Sequence, residues 1–157
     1  MSNFGTDTRR EQIERGEIYY FWTYALNWDN NATLYRVLVV TGASSCEFSM
    51  DIKSEVTFQA ELYEGVANTS SSPWTLENMN RNVANSIITT VDDNAGARSG
   101  GSRIAYVVAP AGIIPPNNPF NHETGPILKP NTSYMFQFTN DSNLRSDLVM
   151  SAFLREI

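Results

Sequence analysis

The residues able to do covalent or acid–base chemistry are few and scattered in this sequence. The single cysteine, Cys46, lies at an apolar position of an alternating stretch, and the single histidine, His122, lies in a proline-rich segment. A cysteine nucleophile needs a nearby base to activate it, and no motif links these two residues. We therefore predict that Cys46 is a small core residue and that the chain is not an enzyme.

Motifs for metal, phosphate or nucleophile chemistry do not occur in the sequence. There is no HExxH, CxxC or GxSxG, and no glycine-rich loop followed by Lys-Ser or Lys-Thr. Residues 92–94, Asp-Asp-Asn, resemble part of a calcium loop but lack the glycine and distant glutamate of an EF-hand. Four acidic residues at outward strand positions are expected to be solvated rather than to form a glycosidase pair: Glu47, Asp51, Glu61 and Glu64. The sequence predicts no catalytic residue, no cofactor and no metal ligand.

Length and charge narrow the classes of partner. A chain of 157 residues fits one domain, which buries roughly 70% of the surface of the unfolded chain. The net charge of −6, from 17 acidic and 11 basic residues, argues against binding to duplex DNA. Residues 1–17 are too polar for a secretory signal, and no apolar run approaches the roughly 20 residues of a bilayer span. We expect a protein made in the cytoplasm, without nucleic acid or membrane partners.

The first 32 residues are expected to be organised separately from residues 33–157. Residues 7–17 hold seven charged side chains and only one apolar one, so they form either a solvated arm or an arm ordered against a neighbouring subunit. Residues 18–28 contain six aromatic side chains. Such density suits rings buried in a core or an interface, and the alternative is an exposed surface that stacks on sugars or bases.

Residues 33–157 are predicted to form an antiparallel β-sandwich. Apolar and polar residues alternate over 46–62 and again over 134–154, which is the period of half-buried strands. We interpret each stretch as a hairpin, the first turning at 53–55; one long bent strand is the alternative there. The nearly continuous apolar run over 34–40 fits a strand that is buried on both faces.

Shorter signals complete the predicted fold. Strands are expected over 85–91 and 104–108, separated by a glycine-rich turn region over 92–102. Residues 110–126 carry five of the seven prolines and predict a loop that contacts another protein. About seven short strands without a convincing helix indicate an all-β chain, an antiparallel sandwich of jelly-roll-like form with an extended N-terminal arm.

Four strings occur in order along residues 33–157, at spacings compatible with a known family. They are ELYEG at 61–65, NRN at 80–82, LKPNTSY at 128–134 and FTN at 138–140. In these strings the chain resembles small structural proteins encoded among the head genes of tailed bacteriophages. Members of that family commonly end in an aromatic-rich strand with Trp-Tyr-Glu, where this chain has Phe-Leu-Arg-Glu. A contact made by that tryptophan is therefore not expected here.

The resemblance implies a minor capsid or head-decoration protein. Such a protein is made in the host cytoplasm, is located on the capsid surface of the virion and binds the major capsid protein. Decoration proteins commonly form trimers where capsomers meet, so the resemblance also implies a homo-oligomer. The candidate subunit contacts come from the aromatic segment, the NRN string and the proline-rich loop: Tyr20, Trp22, Trp28, Asn80, Arg81, Asn82, Pro115 and Phe120.

Two other functions stay open from the sequence. One is a tail or head-fibre module that binds host carbohydrate through the aromatic residues at 19–28 or through the loop at 110–126. The other is a glycan hydrolase built on a jelly roll, for which no acid–base pair can be named.

Overall fold

The computed structural model describes residues 9–28, 34–93, 95–113 and 125–157. Within these ranges there is one short helix, and no helix there has the length and apolar character needed to cross a bilayer. The elements in chain order are α1 (Arg9–Glu14), β1 (Tyr19–Trp28), β2 (Leu34–Val40), β3 (Cys46–Ser54), β4 (Phe58–Val66), β5 (Glu77–Asn78), β6 (Thr90–Asp93), β7 (Gly100–Ala109), β8 (Gly112–Ile113), β9 (Ile127–Leu128), β10 (Ser133–Asn140) and β11 (Ser146–Glu156).

The strands form two antiparallel sheets that pack face to face. Sheet A has the order β5-β1-β11-β3-β8, with β9 also pairing with β3, and sheet B has the order β6-β2-β10-β4-β7. The side chains that alternate into the space between the sheets form the main core. The predicted all-β sandwich is confirmed.

Strands from the first half of the chain pair with strands from the second half. β1 pairs with β11, β2 with β10, β3 with β8 and β4 with β7. The chain is thus one long antiparallel ribbon whose successive strands, β1 to β4, alternate between sheet A and sheet B. Rolling that ribbon places β11 beside β3 and β10 beside β4. This is a jelly-roll topology.

The two predicted hairpins are wrong, although the strands that compose them exist. β3 lies in sheet A and pairs with β11, whereas β4 lies in sheet B and pairs with β10. β10 and β11 are divided between the sheets in the same way. Residues 55–57 therefore form a corner between sheets, where Val56 is buried and its backbone N–H donates to Ser54 Oγ at 3.3 Å. Because each sheet buries one face, a hairpin and such a corner give the same period of two.

The core is filled by large rings from both sheets. Phe48 of sheet A stacks on Phe136 of sheet B with ring centroids 4.7 Å apart. Cys46 is fully buried, as predicted, and this burial raises the pKa of its thiol to about 12. Because the thiolate is the reactive form, this burial disfavours reaction of Cys46 near neutral pH.

Strand β2 is buried on its inner face and partly buried on its outer face, where Arg36 and Val40 are half-buried, so the predicted burial on both faces is confirmed in part. Val37 and Val39 face the main core, while Leu38 faces outward and is only 1% exposed. Val66 and Met135 cover Leu38 in a second small cluster. The outer face of sheet B is therefore partly closed by its own chain.

The aromatic segment belongs to the sandwich itself. β1 pairs with β11 on one side and with β5 on the other, so the expected division at residue 32 falls between two strands of one fold. The described part of the arm, from Arg9, lies on its own subunit, because Asn80 Nδ2 donates to Glu14 O at 2.8 Å and Asn78 Nδ2 donates to Gly16 O at 3.0 Å. Residues 1–8 lie outside the described ranges.

Three smaller predictions differ from the structure in detail. The short strand expected over 85–91 is β6, at Thr90–Asp93, and the strand expected over 104–108 extends to Gly100–Ala109. The proline-rich segment over 110–126 was predicted as a loop, but its residues Gly112–Ile113 form β8, which pairs with β3. The rest of that loop, residues 114–124, lies outside the described ranges.

Candidate binding surfaces

The predicted subunit contacts fall into different parts of the fold. Tyr20 and Trp22 lie on the outer face of sheet A. Trp28 is only 2% exposed and packs edge-on against Phe58 at 6.3 Å, so its prediction as a subunit contact is wrong. The β1–β11 register shifts between Ala25 and Trp28. That irregularity changes the phase of the strand, so Trp28 points inward.

Pro115 and Phe120 lie outside the described residues. Their prediction as contacts stays a prediction.

The NRN string forms a local turn. Asn80 Oδ1 accepts from the backbone N–H of Asn82 at 3.0 Å, and Asn80 Nδ2 holds the end of the arm. Arg81 pairs with Glu77, and Arg81 and Asn82 are both exposed. Asn80 thus satisfies backbone groups of its own chain. A subunit contact through Arg81 and Asn82 stays a prediction.

The outward side chains of β1 form an exposed aromatic patch. Tyr20, Trp22 and Tyr24 alternate with the buried Tyr19, Phe21 and Thr23. Trp22 is 48% exposed and Tyr24 is 51% exposed, and their rings are nearly parallel, at 14°, with centroids 5.9 Å apart. We call these three side chains, with Val149 and Phe153 of the neighbouring β11, the aromatic patch.

A groove of about 500 Å³ borders the aromatic patch, between β1 and residues 72–77. Trp74 lines it, is 43% exposed and packs edge-on against Phe21 with centroids 5.8 Å apart. The segment that carries Trp74 is fixed by the buried Asp92, which accepts from Ser70 Oγ at 2.7 Å and from the backbone N–H of Ser71 at 2.8 Å. Asp92 therefore organises this loop. Among the described residues, no group of three or more potential ligands could hold a metal ion.

A second exposed apolar surface lies on the opposite sheet. Ile104, Tyr106 and Val108 of β7 are 49%, 45% and 47% exposed, and we call them the β7 strip. Tyr106 and Val108 pair with the outward-facing Glu61 and Gln59 of β4, so the strip lies on the outer face of sheet B. Ile104 falls at the register shift between β4 and β7. β7 is the last described strand of that sheet. Arg103, beside the strip, bonds Glu61 at 3.0 Å.

Two of the strings that carry the family resemblance meet in space. Glu64, from the ELYEG string, accepts from Lys129 Nζ at 2.7 Å and from the Tyr134 hydroxyl at 3.0 Å, both in the LKPNTSY string. The Thr41 hydroxyl donates to Lys129 O at 2.6 Å. Asn131 supplies a positive φ of 50°, which asparagine tolerates better than most residues. These residues build a turn that joins the ends of β2, β4 and β10.

This cluster predicts a pH dependence of stability. The hydrogen bond from Lys129 holds the pKa of the Glu64 carboxyl below its ordinary value. A folded-state pKa below the unfolded one gives stability that is present above the unfolded value and is lost as pH falls through the folded value. We expect Glu64→Gln to lower the free energy of unfolding by about 1 kcal/mol near neutral pH. The difference from wild type should disappear in acid, where both forms are uncharged.

Urea titrations across the acid range measure this difference. Glu55→Gln is the matched control, since Glu55 is an exposed carboxylate at the sheet corner, and its effect should stay near zero at every pH. An effect of Glu64→Gln that persists unchanged in acid would contradict the charge-assisted role of the carboxylate.

The chain was compared with known proteins at three levels. No protein-family model matches it, no curated protein matches it, and no solved structure matches it. The family resemblance therefore stays a prediction.

Proposed function

We propose that this protein is a structural component of a bacteriophage virion, a decoration protein that binds the major capsid protein on the capsid surface. The four resembling strings support this proposal. The jelly-roll topology supports it as well, because virus capsid domains commonly use this fold. The mechanism is binding without catalysis.

The observation that carries the proposal is the β7 strip. Ile104, Tyr106 and Val108 expose about half of their surface in one row on an outermost strand. Apolar side chains exposed together in this way mark interaction surfaces in soluble proteins. An outermost strand also presents backbone N–H and C=O groups that a second polypeptide can pair with. Both features suit a protein partner.

Binding at this strip would stabilise the shell by mass action. A ligand that binds the assembled lattice but not its ruptured state favours the assembled lattice. Placement of many copies, or of the trimer that the resemblance implies, raises the effective concentration of each contact. Weak individual contacts would then add up to a measurable gain in heat resistance.

We expect virions that lack the protein to assemble but to release DNA at a lower temperature. Dye accessibility of the packaged DNA during heating measures this release. Equal heat resistance with and without the protein would refute a stabilising role.

A pair of matched variants tests the surface. Val108→Lys puts a charge into the β7 strip and should abolish binding to capsids that lack the protein, as measured by co-sedimentation. Val149→Lys puts the same charge on the opposite sheet, at similar exposure, and should leave that binding intact. If Val149→Lys abolishes binding and Val108→Lys does not, the capsid contact lies on sheet A.

A further inference from the structure

We infer that the groove beside the aromatic patch is a carbohydrate-binding site for a neutral pyranose chain. This inference goes beyond the decoration role, since it concerns the other sheet and does not depend on where the protein is located.

The outward aromatic rings of β1 are not needed to build the core. Tyr19 and Phe21 already supply the inward face of the strand and are 6% and 1% exposed. Trp22 and Tyr24 expose about half of their surface instead, which costs free energy because apolar area stays in water. Several large rings left exposed together indicate a binding surface.

The geometry of the rings fits a sugar. One face of a pyranose consists of C–H groups and is apolar, while its hydroxyls project around the rim. The rings of Trp22 and Tyr24 are stacked nearly parallel, at 14° with centroids 5.9 Å apart, and about half of each side chain stays exposed to contact that C–H face. Trp22 and Trp74 both line the groove, while Tyr24 lies beside it on the aromatic patch.

The groove also contains polar side chains that can bond the hydroxyls of a sugar. Ser72, Thr75 and Glu77 line the groove together with the tryptophans. A few polar groups among aromatic side chains are the usual composition of small-ligand sites, whose volumes are about 300–1,000 Å³. The groove, at about 500 Å³, lies within that range.

Charge selects for a neutral ligand. Glu77 is the charged residue among the described side chains that line the groove, and the whole chain carries a net charge of −6. No cationic side chain is among the described residues that line the groove, so an acidic sugar would find no counter-charge there and would meet the net negative charge of the chain. A neutral sugar can instead donate its hydroxyls to the Glu77 carboxylate, which Arg81 holds in place.

The groove is organised before a ligand arrives. The backbone N–H of Trp74 donates to Val91 O at 2.6 Å, and Asp92 bonds the preceding serines. On the other side, Trp22 lies in a strand paired along its length with β11. Because little ordering is required on binding, even a shallow groove can reach measurable affinity.

The test uses purified full-length protein and a panel of neutral hexasaccharides of glucose, mannose, galactose and N-acetylglucosamine. Tryptophan fluorescence is a suitable readout because Trp22 and Trp74 line the groove, whereas Trp28 is buried. We expect at least one hexasaccharide to bind with a Kd of about 1 mM or lower. The acidic hexamer of galacturonic acid should bind at least about tenfold more weakly.

Substitutions locate the site. Trp22→Ala and, separately, Trp74→Ala should each weaken binding at least about tenfold. Tyr106→Ala removes an equally exposed ring from sheet B and should not change the affinity. Circular dichroism checks that each variant is folded, and Trp22→Phe, which keeps a ring, should retain part of the affinity.

Three outcomes would overturn the inference. They are no binding by any neutral hexasaccharide at about 10 mM, unchanged affinity in both tryptophan variants, and a loss of capsid binding in Trp22→Ala without any sugar binding. The last outcome would make the aromatic patch a protein interface. None of them bears on the heat resistance of virions, so failure here is distinguishable from failure of the decoration role.

Discussion

Phe136→Ala is expected to lower the free energy of unfolding by about 3–5 kcal/mol, the usual cost of deleting a fully buried ring. Phe136 is 0% exposed and stacks on Phe48 across the space between the two sheets, with centroids 4.7 Å apart. Removal of this ring leaves a cavity in the core between the two sheets. Urea unfolding followed by fluorescence measures the loss.

Tyr24→Ala is the matched control for this substitution. It also removes one ring from a strand, but Tyr24 is 51% exposed on the outer face of sheet A. Its cost should stay within about 1 kcal/mol, the span of strand propensities. Equal costs for the two substitutions would mean that the Phe48–Phe136 contact does not control the packing of the sheets.

Alternation predicted the strands well because burial of one face of a sheet leaves a local trace in the sequence. Residues 46–54 and 58–66 became β3 and β4 with nearly the expected bounds. This alternation does not indicate which strands are neighbours in a sheet. The pairing of Tyr19 with Leu154 joins residues far apart in the chain, and no local pattern contains that information. The two wrong hairpins have this cause.

The predictions of binding residues were limited in the same way, because local patterns do not contain the pairing of strands. Residues 19–24 are aromatic at every position except Thr23, so no alternation in the sequence separates the outward Trp22 and Tyr24 from the inward Phe21. Before Trp28 a register shift changes which face of β1 the side chains point to. That shift depends on the pairing with β11, which the local sequence does not show. Trp74 was missed because it lies in a polar loop without periodicity, although an isolated tryptophan in such a loop is itself a signal of exposure or contact.

The strings that carry the family resemblance turn out to have structural roles in this fold. Glu64, Lys129 and Tyr134 bond one another at the joined ends of three strands, and Asn80 holds the described end of the arm. Residues that fix turns of a shared fold are a sufficient reason for two proteins to share strings. The β7 strip and the aromatic patch lie outside those strings, so the partner of this chain is a separate question from its fold.

The outer faces of the two sheets point in opposite directions in a sandwich. The β7 strip lies on sheet B and the aromatic patch on sheet A. One protein can therefore be seated on a capsid through the first surface while the second faces outward. Under the two proposals made above, the same chain would anchor to the shell and present a sugar-binding groove to the surroundings.

Asn140→Ala is expected to lower the free energy of unfolding by about 2–3 kcal/mol, because it leaves buried polar groups without partners. Asn140 is 0% exposed, and its Nδ2 donates to Trp28 O at 3.1 Å and to Leu144 O at 2.8 Å. Its Oδ1 accepts from the backbone N–H of Ser142 at 3.0 Å. One amide therefore ties the end of β1 to the corner between β10 and β11. Urea unfolding measures the cost.

Asp141→Ala is the matched control, since the neighbouring Asp141 is exposed and its substitution should cost at most about 0.5 kcal/mol. Similar values for the two variants would show that the Asn140 bonds contribute nothing to stability.

Asn140 ends the FTN string of the family resemblance. A large loss of stability at Asn140, with capsid binding unchanged under conditions where the variant is folded, would mean that this string reports the shared fold and not the shared partner. Binding must then be sought at the β7 strip and the aromatic patch.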